Sequence, residues 1–225
     1  MHRTADPPVS ESGLRAGIRV ALPVVLPTVA LGISFGILAR PVMGSVAPTV
    51  MSVLVFSGGA LFASLSVLQG GGAAAAAIAA AMLMNARWLP MGLALAPSLR
   101  GGRLRRSLEA QAIVDASFVL SSRGDGTFDR GLLLGATIPQ FVSWTGGTLI
   151  GVLLAGSIDD PNRFGLDAIF PAFYLALLLR EAGDRRAYEA MALAGALTVA
   201  LMGFAPPGVP VLVASGAALL GLRRR

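Results

Sequence analysis

Cysteine and lysine are absent from this 225-residue chain, and its single histidine is His2, near the N-terminus. Without cysteine there is no disulfide framework and no thiolate chemistry. Without lysine there is no phosphate-binding loop of the Walker type, so nucleotide use by this chain is not expected. The apolar part of the chain lacks histidine, which removes histidine metal sites and Ser-His catalysis there. We therefore expect neither an enzyme nor a bound cofactor.

Charge is also scarce. Only 13% of the residues are charged, whereas 55% are hydrophobic and the mean hydropathy is +0.73. A soluble domain carries about 25% charged residues, and this chain has room for six or seven apolar spans of about 20 residues. The net charge of +6 comes from arginines in short loops, a pattern that orients membrane proteins rather than one that binds nucleic acid. The sequence therefore predicts an all-helical integral membrane protein in the lipid bilayer.

The chain divides into a polar start, a long apolar part and a basic end. Residues 1–15 contain Pro7-Pro8 and are predicted to form a disordered cytoplasmic tail. Residues 16–222 are predicted to form a single membrane domain, and 223–225 are all arginine. The long apolar runs cover 16–39, 46–68, 73–98, 131–156, 164–180, 187–204 and 208–222, and a shorter amphipathic piece covers 109–122.

Arginine clusters indicate which segments cross the membrane. The clusters at 99–107, 180–186 and 223–225 should all face the cytoplasm. Three candidate segments, 109–122, 131–156 and 164–180, lie between the first two clusters. An odd number of spans would put these clusters on opposite sides of the membrane, so one of the three must fail to span. The piece 109–122 is the natural choice, since 14 helical residues reach about 21 Å against a hydrocarbon core of about 30 Å.

The same count and a pair of glycines point to a second incomplete segment. Three apolar runs precede the cluster at 99–107, so either the N-terminal tail lies outside or one run turns back. Ser57-Gly58-Gly59 lies in the middle of 46–68, and paired glycines weaken a helix. We expect two half-helices that return to the side from which they entered, lining a cavity enclosed by protein. This gives about six full spans and two broken or re-entrant segments, seven to eight in total, with both termini in the cytoplasm.

Other glycines leave two interpretations open. Thr145-Gly146-Gly147 interrupts the run 131–156 in a similar way, and paired glycine-broken segments are typical of secondary transporters. Close helix packing explains this tripeptide equally well. The pairs of small residues four apart favour packing, namely Gly32 with Gly36, Gly131 with Gly135, and Gly147 with Gly151.

Polar residues inside the apolar runs are the candidates for a binding site. Arg87 could clamp a carboxylate, because a guanidinium holds both oxygens at once, or it could reach the interface beside Trp88. Asp115 could pair with Arg87, carry a proton, or lie solvated near the interface. Gln140 and Trp144 share one helix face and either line a cavity or pack. Asp167 is interpreted as a residue that complements a helix N-terminus.

Several pieces of the chain, in order, resemble the AzlC family, the large subunits of branched-chain amino acid exporters. Asn85-Ala86-Arg87 matches the family pattern N-x-R, and 51–62 resembles the pattern M-S-x-x-V-F-A-G-A-A-Q-F. The chain departs from the family at Leu61, Trp88 and Ala116, where glutamine, histidine and an acid are usual. The remaining similar pieces are 32–39, 114–118, 165–167 and 170–173.

The resemblance implies a secondary exporter of valine, leucine and isoleucine, or close analogues such as methionine, in a prokaryotic inner membrane. It also implies a small AzlD-type membrane partner. We expect alternating access around a site near the midplane; the alternative is a membrane scaffold or assembly subunit without a transport path. The predicted substrate-binding residues are Ser57, Gly58, Gly59, Leu61, Asn85, Arg87, Asp115, Gln140 and Trp144.

Overall fold

The structure is a computed structural model that describes residues 11–99, 101–123, 126–157 and 185–205, together with positions 165, 168, 172, 175, 179, 213 and 214. The described residues form helices and loops without a strand, which confirms the all-helical prediction. The helices are α1 (Glu11–Met43), α2 (Ala47–Val55), α3 (Gly58–Gln69), α4 (Ala74–Asn85), α5 (Trp88–Leu95), α6 (Arg103–Ala110), α7 (Asp115–Ser121), α8 (Arg130–Leu154) and α9 (Arg185–Met202).

Two of these helices are long and apolar enough to cross a membrane. They are α1, and α8 together with the short 3-10 turn that follows it to Ser157. Helices α4 and α5 form a third candidate, bent by 41° at the break between them. The apolar runs 164–180 and 208–222 lie largely outside the described residues, so the total of seven or eight segments stays a prediction.

The long helices α1 and α8 run parallel in direct backbone contact. A Cβ atom on Gly17 would lie 2.6 Å from the carbonyl oxygen of Leu132, and one on Gly32 would lie 2.6 Å from that of Trp144. The start of α1 therefore lies beside the start of α8, and the two helices stay in contact toward their C-terminal ends. Helix α1 begins at Glu11, so the last five residues of the predicted tail are helical instead.

The expectation that Thr145-Gly146-Gly147 interrupts its segment is wrong. These residues lie inside the unbroken helix α8. A Cβ atom on Gly147 would meet the carbonyl oxygen of Val29 at 2.6 Å, whereas one on Gly146 would have nothing within 4 Å. The packing interpretation is therefore correct, because Gly147 is the residue that lets α1 approach.

Helices α2 and α3 form a re-entrant pair. Helix α2 runs back along α8, since Ser52 Oγ donates to Thr148 Oγ1 at 2.9 Å and the rings of Phe56 and Phe141 lie 5.0 Å apart. Helix α3 then returns to the end at which α1 stops, where the Gln69 side chain donates to the carbonyl of Leu38 at 3.4 Å. The two half-helices thus return to the end from which they started, as the sequence predicts.

The turn between α2 and α3 falls at Phe56 and Ser57, just before the two glycines. Phe56 has a positive φ of 43°, a conformation that an L-residue rarely adopts. Ser57 caps α3 because its Oγ accepts a hydrogen bond from the amide of Ala60. The glycines therefore begin the second half-helix rather than form the break itself.

Helix α4 packs antiparallel to α3 and ends where α3 begins. The sequence predicts a kinked but continuous run over 73–98, whereas the structure breaks it at Ala86 and Arg87. Pro90 supplies the reason: it has no amide hydrogen, so it cannot bond to the carbonyl of Ala86, and it is tolerated only in the first turn of α5. Helix α5 continues to the end of the molecule at which α8 starts, where Leu95 packs near Leu133.

Helices α6 and α7 form a second, shorter re-entrant element from the opposite end. Glu109 in α6 pairs with Arg130 at the start of α8. The loop between α6 and α7 extends inward, where the carbonyl of Ala112 accepts a hydrogen bond from Thr137 at 2.8 Å. Helix α7 then returns, and the carbonyl of Ser121 accepts from the amide of Asp129 at 2.8 Å. As predicted, 109–122 enters and leaves at the same end.

The anchor between α6 and α8 makes stability depend on pH. The hydrogen bond from Arg130 to the buried Glu109 carboxylate lowers the pKa of Glu109 below its ordinary value of 4.5. A lowered pKa contributes stability above pH 4.5 that is lost as the pH falls through the folded-state value. We expect Glu109→Gln to cost about 2 kcal/mol at pH 7 and to flatten the fall in Tm on acidification below pH 4.5.

Glu189→Gln is the matched control, since Glu189 also pairs with an arginine four residues before it but is exposed. Its Tm should stay near that of the parent protein at both pH values. Asp129 also has a lowered pKa, mainly through Arg123, so part of the acid dependence remains in the Glu109→Gln variant. An unchanged Tm at pH 7 in that variant would contradict the anchoring role.

Candidate functional site

Two helix breaks meet inside the molecule. The Ser57 hydroxyl, at the start of α3, donates to Asn85 Oδ1, at the end of α4, at 2.7 Å. Ser57 is buried and lies next to Phe56, whose ring contacts Phe141 near the middle of α8. The contact between the breaks is therefore about halfway along a helix that is long enough to span the membrane.

Arg87 lies at the α4–α5 break and binds Asp115 through two hydrogen bonds. Its Nε donates to Asp115 Oδ1 at 3.1 Å and its Nη2 donates to Oδ2 at 2.9 Å. Its Nη1 donates to the carbonyl of Met84 at 3.1 Å, at the last turn of α4. The predicted pairing of Arg87 with Asp115 is thus present, and it joins the re-entrant element α6–α7 to the broken helix α4–α5.

Gly59 supplies the space in which the guanidinium lies. A Cβ atom at Gly59 would lie 3.1 Å from Nη2 and 3.2 Å from Nη1 of Arg87. The arginine therefore packs over the first turn of α3, where the helix dipole is also positive. We call this group the polar junction, and its residues are Ser57, Gly59, Asn85, Arg87 and Asp115.

The ion pair of the polar junction is accessible. The side chains of Arg87 and Asp115 are 31% and 38% exposed, whereas Ser57 is buried. A bidentate guanidinium–carboxylate pair of this kind matches the geometry with which arginine binds any carboxylate. A ligand carboxylate that replaced that of Asp115 would therefore accept the same two hydrogen bonds from the guanidinium, and Asp115 would lose them.

The other predicted site residues lie apart from the ion pair. Leu61 is 1% exposed and belongs to an apolar cluster with Trp144, whose ring stacks on Phe35 at 5.9 Å. The Gln140 side chain donates to the carbonyl of Ala136 in its own helix at 2.8 Å. Gly58 is the first residue of α3. Five of the nine residues therefore form the polar junction, and their substrate-binding role stays a prediction.

Some contacts of the site were not expected from the sequence. The carbonyl of Met84 holds Arg87, and the buried hydroxyl pair of Ser52 and Thr148 fixes α2 on α8. Pro90 is the sequence signal for the contact between Arg87 and Met84. A proline predicts a helix end a few residues before it, and a helix that ends there leaves carbonyls such as that of Met84 to accept from a side chain. The contact between Ser52 and Thr148 has no local signal, because its partners are 96 residues apart.

Asp167, interpreted above as complementing a helix N-terminus, lies outside the described residues. Among the described residues, no three histidine or acidic side chains come together in a way that could hold a metal ion. The described part of the chain therefore offers the polar junction as its candidate site.

The sequence of this chain is similar to that of known proteins. The model of the family described as AzlC protein matches residues 23–158. The chain is 24% identical over 196 residues to the branched-chain amino acid transport protein AzlC of Bacillus subtilis (strain 168), covering 85% of this chain and 76% of the relative. It is 27% identical over 201 residues to an uncharacterized membrane protein of Archaeoglobus fulgidus, covering 84% and 85%. No solved structure matches significantly.

Proposed function

This chain belongs to the AzlC family, whose model covers more than half of it, and we propose that it exports branched-chain amino acids across a prokaryotic inner membrane. The family supports a role in membrane transport. The direction of transport and the substrates are our proposal. The observation that carries it is the Arg87–Asp115 pair, which lies where two half-helices and a broken span meet.

The position of the polar junction suits a transport site. Transporters place substrate sites near the midplane, where broken helices leave backbone groups unpaired. Here α2–α3 enters from one end of α8, α6–α7 enters from the other, and both reach Arg87 and its neighbours. Irregular backbone at such depth is tolerated when it is enclosed by protein or lines a cavity. These features support a site that is approached from each side in turn.

We assign the recognition of the amino acid carboxylate to Arg87. The substrate carboxylate replaces that of Asp115 on the guanidinium, with Asn85 and the first turn of α3 beside it. The released Asp115 then binds the substrate ammonium group or takes up a proton. Since an isolated carboxylate is costly inside a membrane, either event stabilises the loaded state.

Apolar residues next to the polar junction are assigned to the aliphatic side chain of the substrate. Phe56 and Phe62 flank Ser57 and Gly59 in sequence and pack in the same cluster as Leu61. An apolar pocket separates substrates that differ by one methylene by only about 1–3 kcal/mol. We therefore expect valine, leucine, isoleucine and methionine all to be transported.

The orientation follows from the arginines. Arg15, Arg19, Arg105, Arg123 and Arg130 lie toward the end of the molecule at which α1 and α8 begin. The positive-inside rule assigns this end to the cytoplasm, and with it the N-terminus. We further propose that a small AzlD-type membrane subunit works with this chain.

Transport of labelled valine in vesicles tests the function. Vesicles containing this protein, with and without the small membrane subunit, are given an imposed proton gradient. We expect gradient-dependent movement of valine and leucine, which unlabelled isoleucine reduces and glutamate leaves unchanged. Absence of valine movement in both arms would refute the proposal and favour the alternative, a scaffold subunit without a transport path.

A further inference from the structure

Helix α6 has an exposed apolar face bordered by arginines. Leu104 and Leu108 are one turn apart and are 77% and 66% exposed. Arg105 borders this pair on one side of the helix and Arg103 on the other, and both arginines are exposed. An apolar stripe flanked by arginine is typical of a helix that lies in the membrane interface.

Two contacts fix the direction in which this face points. Glu109 pairs with Arg105 and with Arg130 at the start of α8. Arg106 donates to the carbonyl of Ala96 at the end of α5, at 2.8 Å. Helix α6 therefore lies across the end of two membrane segments, and its leucine pair is not used to pack it there.

An apolar groove begins at Leu108. It has a volume of about 410 Å³ and runs between α2, the α6–α7 loop and α8. Its walls include Val53 and Leu54 of α2, Phe56 just after α2 and Phe141 of α8, with Gln111 and Thr137 as polar members. Phe56 borders both this groove and the apolar residues assigned to the substrate. This volume falls in the range of roughly 300–1,000 Å³ that is usual for ligand sites. Leu54 is itself exposed, so the groove is open at the surface of the described part of the protein.

We propose that this groove and the arginines of α6 bind an anionic phospholipid. One acyl chain lies in the groove against Leu108 and Phe141. The phosphate binds the terminal nitrogens of Arg105, whose Nε is already bonded to Glu109, while Arg103 attracts anionic headgroups on the other side of α6. Charge complementarity favours a lipid over a partner helix. Leu108 lines the groove one turn after Arg105, so an apolar chain in the groove and a negative head beside α6 fit one amphiphile. The anionic lipids of the cytoplasmic leaflet lie at the depth where arginine attracts them.

Lipid titration of the purified full-length protein tests the site. Phosphatidylglycerol is added to the protein in detergent, and bound lipid is counted by native mass spectrometry. Each basic side chain contributes about 1 kcal/mol to attraction by anionic lipid. We therefore expect the Arg103→Gln/Arg105→Gln protein to bind phosphatidylglycerol about 30-fold more weakly. Arg185→Gln, which removes an exposed arginine paired with Glu189, is the matched control and should bind as the parent does.

A second variant tests the groove independently of charge. Leu108→Asn leaves the arginines in place and should weaken binding of phosphatidylglycerol severalfold, because it puts a polar group in the groove that the acyl chain occupies. Parent-like affinity in the double arginine variant would overturn the proposal. So would equal competition by inorganic phosphate, which would indicate a free-anion site, or displacement of the lipid by the small membrane subunit, which would assign the groove to a protein. None of these outcomes depends on which amino acid is transported.

Discussion

Valine transport by the Arg87→Ala protein is expected to fall by about 100-fold. The substitution removes the two hydrogen bonds that the guanidinium now makes to Asp115 and that we assign to the substrate carboxylate. Hydrogen bonds to charged groups contribute about 1.5–3 kcal/mol, and 1.4 kcal/mol corresponds to a factor of ten. The Arg87 side chain is 31% exposed, so we expect each hydrogen bond to contribute an energy at the lower end of this range. The measurement is the initial rate of labelled valine transport in vesicles.

Two further variants separate charge from geometry at this site. Arg87→Lys keeps the charge but loses the planar pair of donors, so it should restore only part of the rate. Gly59→Ala keeps Arg87 but puts a methyl group against both terminal nitrogens, and it should lower the rate without removing any charge. Gly92→Ala is its control, because a Cβ atom there meets nothing within 4 Å.

Asp115→Asn should act differently from Arg87→Ala. It leaves the guanidinium available to the substrate and removes the Asp115 carboxylate, whose role as proton acceptor, the second of its two proposed roles, this variant tests. We expect valine exchange to persist while accumulation driven by the proton gradient is lost. Normal expression of Arg87→Ala and Asp115→Asn with parental transport rates would show that the polar junction is not the substrate site.

The Gly147→Ala protein is expected to lose about 3 kcal/mol of stability. Its new methyl group would meet the carbonyl oxygen of Val29 at 2.6 Å, and neither partner is a flexible side chain. Helices α1 and α8 must then move apart, and such overpacking costs about 1–3 kcal/mol. The measurement is thermal unfolding of the purified protein in detergent.

Gly146→Ala is a control from the neighbouring position in the same helix. It faces open space, so the better helix propensity of alanine should leave stability unchanged or raise it by up to about 1 kcal/mol. Equal Tm values for the two alanine variants would show that α1 and α8 do not pack as described. Both variants keep the polar junction intact, so any loss of transport would reflect the fold.

Composition and arginine placement predict more of this fold than local motifs do. The incomplete segments 46–68 and 109–122 follow from counting the spans between basic clusters. An odd number of spans between two arginine clusters would put them on opposite sides of the membrane. The structure forms both, through α2–α3 and α6–α7. That prediction succeeds because it depends on the bilayer, which constrains all basic loops to the same side whatever the local sequence.

Glycine motifs are less informative, because a missing side chain can either weaken a helix or let a neighbouring helix approach closely. Ser57-Gly58-Gly59 and Thr145-Gly146-Gly147 look alike in sequence, yet the first follows a break and the second lies in an unbroken helix. The difference arises from a distant partner, α1, which occupies the space beside Gly147. The break at Ala86 and Arg87 is missed for another reason: Pro90 acts on the carbonyl four residues earlier.

The glycine contact between α1 and α8 has a consequence for how the protein moves. Because the backbones of α1 and α8 touch directly, no layer of side chains lies between them that could rearrange as the helices slide or rotate. We therefore expect α1 and α8 to move together as one rigid unit. Within the part of the chain that the structure describes, the helix breaks at 56–57, 86–87 and 111–114 are then the places for hinges. All three lie within or beside the polar junction, so the residues that we propose to hold the ligand are also those whose dihedral angles would change.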